Sequence, residues 1–143
     1  MSIKEIRRHD APLRTDQGDV RFHYLAGDVE LIHTILKPHL QQPAHGHKWA
    51  TEVHYVMRGR VRVVLEENGS EAFKIFNVGD VFAFPPDSSL HRLENIDPEP
   101  AELLSMKFRS DGEDHTADFR NDKVIPMPGW QPVQRRPIFG RQD

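Results

Sequence analysis

The sequence predicts an all-β sandwich or barrel. It holds many short runs rich in β-branched and aromatic residues. Gly, Pro, Asn and Asp punctuate those runs, and no helical period is sustained over ten or more residues.

The runs follow in order. "RFHYL" (21–25) and "ELIHTILK" (30–37) read as the first two strands. A strand starting at Glu52 carries His54 and Val56 on the same face, and Gly59 closes it in a turn. "RVRVVLE" (60–66) alternates, with Val61, Val63 and Leu65 on one face and Arg60, Arg62 and Val64 on the other. "ENGSE" (67–71) is a hairpin turn, because Asn-Gly readily adopts positive φ. "AFKIF" (72–76), "DVFAF" (80–84), "HRLEN" (91–95) and "AELLSMKF" (101–108) complete the strand set. Phe82 and Phe84 share a face, so one of the pairs Phe82/Phe84 and Val81/Ala83 lines the interior.

The ends differ in character. Residues 1–20 read as a polar N-terminal arm and residues 21–108 as the barrel. Residues 109–143 form a polar, Pro-rich tail with isolated Phe119, Trp130 and Phe139. Two readings of that tail stand: partial disorder, or an extended arm anchored by Trp130 on the barrel or a second subunit.

Composition removes whole function classes. A net charge of −3 gives no basic field, so no nucleic-acid partner is expected. There are no cysteines, which excludes disulfides, thiolate metal sites and cysteine nucleophiles. "MSIKEIRRHD" lacks the apolar centre of a signal peptide, and no apolar run reaches spanning length. A soluble, cytoplasmic protein with no membrane partner is therefore expected. The hydrophobic fraction of 37% is low for a lone globule, so a partner subunit is expected to cover some apolar surface, most simply in a homodimer.

The chemistry concentrates in "PAHGHKWATEVHYVMRGR" (43–60). Chance alone gives about 0.5 His-x-His pairs in a chain this rich in His, so His45 and His47 prove little by themselves. In a strand they face one side together. Glu52 lies an odd step beyond His47, so "KWAT" must turn a corner if all three converge. A second segment, "GDVFAFPPDSSLHRLEN" (79–95), adds His91 at the head of a strand. Three neutral imidazoles and one carboxylate suit Fe, Mn, Ni, Co or Zn as divalent ions and disfavour Ca and Mg.

On these residues the chain resembles the cupin family. His45-x-His47, four residues, Glu52, six residues and Gly59 look like its first motif. Gly79, Pro86, His91 and Asn95 look like its second. Three positions depart from the pattern: His39 stands where the first motif opens with Gly, Ser88 stands where Gly is usual, and the Gly79-to-Pro86 distance is one residue long. These are turn positions, not ligands.

The resemblance implies a six-to-eight-stranded antiparallel jelly-roll (cupin) barrel with irregular N- and C-terminal arms. It implies one divalent transition metal per chain, near one mouth, and dimers through edge strands. The ligands by this resemblance are His45, His47, Glu52 and His91. His54 takes a place usually held by an inward aromatic, so it either fills space or serves as a general base or ligand orienter. Asn95 is expected to bond the backbone, and His23, His33, His39 and His115 to be surface or structural. Family membership does not fix the reaction. The expected function is a metal-dependent enzyme on a small oxygen-rich organic substrate, with dioxygenase chemistry slightly favoured. Isomerase, cyclase or lyase chemistry is the alternative, as is a non-catalytic, metal-stabilised binding protein. A cavity open to solvent discriminates catalysis from a plugged structural site.

Overall fold

The computed structural model describes residues 5–26, 29–47, 50–86 and 90–109. Ser88, His115, Phe119, Trp130 and Phe139 lie outside the described residues, as does nearly all of the tail. Among the described residues no helix is long and apolar enough to cross a membrane.

Among the described residues nine strands form, all paired antiparallel: β1 (Leu13–Thr15), β2 (Gly18–Ala26), β3 (Val29–Leu36), β4 (Ala50–Arg58), β5 (Val61–Glu67), β6 (Ser70–Phe76), β7 (Val81–Phe84), β8 (Leu90–Glu94) and β9 (Ala101–Arg109). They make a six-stranded sheet in the order β1-β2-β3-β9-β4-β7 and a three-stranded sheet in the order β6-β5-β8. This is the all-β jelly-roll that the strand pattern and the motifs predict.

The core lies between the two sheets. Leu36, Val56, Val61, Val63, Phe82, Phe84, Leu93, Ala101 and Leu103 form one buried cluster. Each large apolar side chain buried there contributes about 1.5–3 kcal/mol relative to exposure. The inward pair on β7 is Phe82 and Phe84.

Local sequence explains the turns. Asn68 and Gly69 have φ of 53° and 77°. Two successive positive φ values match the right-handed twist of a tight hairpin, and β5 pairs directly with β6 through Glu67 and Ser70. Gly59 has φ of 73°, and a Cβ there would stand 3.0 Å from the Ala101 Cα. The turn after β4 therefore needs glycine for both conformation and space.

The alternation in β5 keeps its faces, but burial does not follow it beyond Val63: Leu65 is 39% exposed and Val64 is buried. Leu65 pairs with His91 beyond the apolar cluster, whereas Val64 sits on the outer face between Phe73 and Arg92. The sheet also begins before residue 21, because β1 and the first residues of β2 lie in the stretch read as an arm. The side chains of β1 are all exposed, so its pairing rests on backbone hydrogen bonds that leave no apolar pattern to read.

Candidate metal centre

The site is built where the two sheets meet at one mouth. His45 and His91 exchange both backbone hydrogen bonds, His45 N to His91 O at 2.9 Å and His91 N to His45 O at 2.8 Å. This bridge sets their imidazoles side by side, with ring centroids 4.6 Å apart. His47 lies two residues on, its ring 5.2 Å from His45 and 5.4 Å from His91. Glu52 enters from β4, its side chain almost wholly buried. The corner expected at "KWAT" includes residues 48 and 49, which lie outside the described residues. The convergence it had to produce is present: one ligand atom from each of His45, His47, Glu52 and His91 lies within 4.8 Å of the others.

Orphaned nitrogens test whether these residues fit a metal. His91 is fully buried, yet neither of its ring nitrogens makes a well-aligned hydrogen bond, and neither does buried His47 Nε2; their Nε2 atoms only approach Glu52, at 3.7 Å from Oε1 for His91 and 3.2 Å from Oε2 for His47. Buried polar atoms without partners cost about 1–3 kcal/mol each, so native sites rarely keep them. His45 Nδ1 is 3.0 Å from the Pro43 carbonyl oxygen, to which it donates, leaving Nε2 as a lone pair. Ligand atoms about 2.0–2.2 Å from a transition metal need a cluster only slightly tighter than this one. The donor set fits.

Electrostatics favour the ligating protonation states. Burial pushes the Glu52 carboxyl upward, but polar contacts from His54 and His91 and the charge of Lys107 outweigh it. Glu52 is thus held well below the usual carboxylate range. Burial lowers the His47 pKa, against the pull of Glu52, so the ring is kept neutral.

The surroundings hold the ligands in place. The Phe84 ring stacks on His91 at 3.7 Å between centroids and 4° between planes. Behind Glu52, His54 Nε2 donates to Glu52 Oε1 at 2.6 Å, and His54 Nδ1 is 2.6 Å from Ser105 Oγ. His54 also stacks on Phe82 at 4.9 Å. Asn95 is a structural pin, as expected: Nδ2 donates to the carbonyls of Leu36, Lys37 and Glu99. Of the other histidines, His33 is buried against Phe22 and Glu102, and His39 occupies a turn.

Sequence reasoning missed Ser105 and Lys107. They face His54 and Glu52 across the β4–β9 ladder, and Lys107 Nζ is 3.4 Å from Glu52 Oε2. A signal was there. The inward face of β9 runs Ala101, Leu103, Ser105, Lys107, turning from apolar to polar toward one end.

A cavity of about 310 Å³ adjoins Glu52, lined by His45, His54, Ser105, Lys107 and the apolar Ile32, Leu93 and Leu103, among others. Ile32, His45 and Lys107 are only partly buried, so among the described residues the cavity is open at this side.

Among solved structures, the chain is similar to Bacillus subtilis oxalate decarboxylase, described with Mn(II) centres, at 22% identity and a TM-score of 0.57 over 73% of this chain and 29% of that one. It is similar to an oxalate oxidase at 22% identity and a TM-score of 0.51, covering 57% of this chain and 42% of that one. A double-stranded β-helix protein from Klebsiella pneumoniae matches at 17% identity and a TM-score of 0.54, covering 79% and 84%. The chain thus spans under half of the oxalate oxidase and under a third of the decarboxylase. These likenesses show the fold. No curated protein sequence matches the chain. The family model described as the cupin domain matches residues 32–107, more than half of the chain, from within β3 through the cluster of His45, His47, Glu52 and His91 to Lys107, so the chain belongs to the cupin family.

Proposed function

We propose that this cupin is a metal-dependent enzyme acting on a small, oxygen-rich organic substrate, with dioxygenase-type chemistry favoured. The observation that carries the reading is the open cavity beside the four-residue cluster. A purely structural metal site would be closed.

His45, His47, Glu52 and His91 would hold one divalent transition metal. When bound, such a metal supplies Lewis-acid and redox chemistry. The chain's own residues do the rest. Phe84 fixes the ring plane of His91, and His54 fixes one oxygen of Glu52. His54 holds Glu52 through Nε2 and meets the Ser105 hydroxyl through Nδ1, an arrangement that supports the ligand-orienting role of the two expected for it. Ile32, Leu93 and Leu103 form an apolar wall that limits water around the reacting substrate. The names of two structural neighbours, oxalate oxidase and oxalate decarboxylase, agree with a small, oxygen-rich substrate.

The test begins with metal analysis of protein purified without a histidine tag. About one transition-metal ion per chain is expected. An oxygen-consumption screen against small enolic and hydroxy-keto compounds follows. Metal-free protein that also refuses added metal would remove the reading. Metal retention with no turnover on any compound would favour a binding protein.

A further inference from the structure

Among the described side chains that line the cavity, only Glu52 and Lys107 carry a permanent charge. The two sit opposite each other on β4 and β9. Their Nζ to Oε2 distance is 3.4 Å, and Lys107 Nζ is 3.7 Å from Glu30 Oε1 near the rim. Both contacts are longer than a well-formed charged hydrogen bond, so the ammonium group keeps donor capacity to spare.

Three of the other polar side chains of the wall, Gln42, Ser105 and His54, are already committed. Gln42 Nε2 donates to the Gln17 carbonyl at 2.7 Å, and Gln42 Oε1 accepts from Leu93 N at 3.1 Å. Ser105 and His54 hold one another at 2.6 Å. A substrate therefore meets one cation whose two ion pairs are long enough to leave it donor capacity, on a wall that is largely apolar or already hydrogen-bonded.

Charge counting points the same way. Once Glu52 serves a divalent ion, its single charge no longer balances Lys107 as well. With Glu30 offsetting part, about one positive charge remains uncompensated in a partly buried space. A small anion is the natural counterweight. The cavity volume, about ten waters' worth at the liquid share of roughly 30 Å³ each, limits that anion to a few carbons.

We infer that the ligand is a small 2-hydroxy or 2-oxo carboxylate whose carboxylate pairs with Lys107 Nζ. Its neighbouring oxygen faces the cluster of His45, His47, Glu52 and His91. The inference rests on the metal-dependent reading above and names the substrate class for it.

The experiment uses full-length protein with its metal content measured, titrated calorimetrically with glycolate and with glycolamide, its neutral near-isostere. Glycolate is expected to bind, and glycolamide about 10- to 100-fold more weakly, the worth of one charge-assisted contact. Lys107→Met should lose glycolate affinity by a similar factor while retaining metal and thermal stability, and Lys107→Arg should restore part of it. Equal binding of glycolate and glycolamide overturns the inference alone, as does full glycolate affinity in Lys107→Met. So does metal-loaded protein that binds neither probe. Protein unable to take up metal overturns the metal reading first, and this inference with it.

Discussion

His54 Nε2 donates to Glu52 Oε1 at 2.6 Å, two residues along the same inward face of β4. Neighbours on one strand face stand roughly 6.5–7 Å apart at the backbone, so the side chains must lean together to meet. The lean is supported from behind: Ser105 Oγ holds His54 Nδ1, and Phe82 stacks against the ring. Glu52 can then present its carboxylate to the three histidines without searching rotamers.

The first prediction follows from that pairing. His54→Phe should fold, because an aromatic ring fits the wall made by Phe82 and Phe84. It should lose metal affinity by about 10- to 100-fold, the usual cost of removing a partner that orients a ligand. Competition against a chromophoric chelator measures this. Wild-type affinity in the variant would reduce His54 to packing.

His47→Ala and His91→Ala should each empty the site while leaving the barrel folded. The scaffold is held by the apolar cluster around Leu36, Val56 and Leu103, which neither histidine joins. Removing His91 also leaves the face of Phe84 uncovered, so this variant should lose more stability than His47→Ala, whose side chain is partly exposed. Metal analysis together with thermal melts separates the two effects. Unchanged metal content in both variants would rule out the proposed centre.

The cluster of His45, His47, Glu52 and His91 was legible because the two segments carry fixed local spacings, and one backbone bridge between His45 and His91 joins them. The hairpin at Asn68–Gly69 was legible for the same reason, since its conformation is chosen by adjacent residues. Lys107 and Ser105 were not singled out. Their roles depend on β9 pairing with β4, with His54 and Ser105 separated by 51 residues in sequence, and no local pattern encodes which strand will lie alongside. The exposure of Leu65 was not legible either, because alternation gives the face of a strand but not where the core ends along it.

Glu52 also governs acid behaviour of the metal-free protein. Its folded pKa lies below its ordinary value of 4.5, so the unfolded chain binds the proton more tightly. The stability it contributes is present above about pH 4.5 and is lost as pH falls from there toward the folded pKa. Thermal melts of metal-free protein should therefore decline more steeply below pH 4.5 in wild type than in Glu52→Gln. Parallel slopes for the two proteins would show that Glu52 is not held in its charged form by the fold.

The last prediction concerns a turn outside the site. Leu40 N donates to Lys37 O at 3.1 Å, closing a turn over Pro38 and His39. His39 has φ of 61°. Proline second and a left-handed residue third is the pattern of a type II turn, which favours Gly or Asn in the third place. It is also the place where the family motif opens with Gly, so the departure noted in sequence is a side chain held in a strained backbone. The turn persists because Asn95 fastens it, taking Leu36 and Lys37 carbonyls with Nδ2 and donating its backbone N–H to Leu40 O at 2.9 Å. Relief of the left-handed penalty exceeds the entropy that glycine adds to the unfolded chain, so His39→Gly should stabilise by about 0.5–1 kcal/mol. His39→Asn should gain part of this, and His39→Ala should gain nothing, since alanine keeps the Cβ that causes the strain. Chemical denaturation of the three variants measures the order, and metal content should not change in any of them. A His39→Gly protein less stable than wild type would mean that the imidazole contributes more to the turn than its backbone costs.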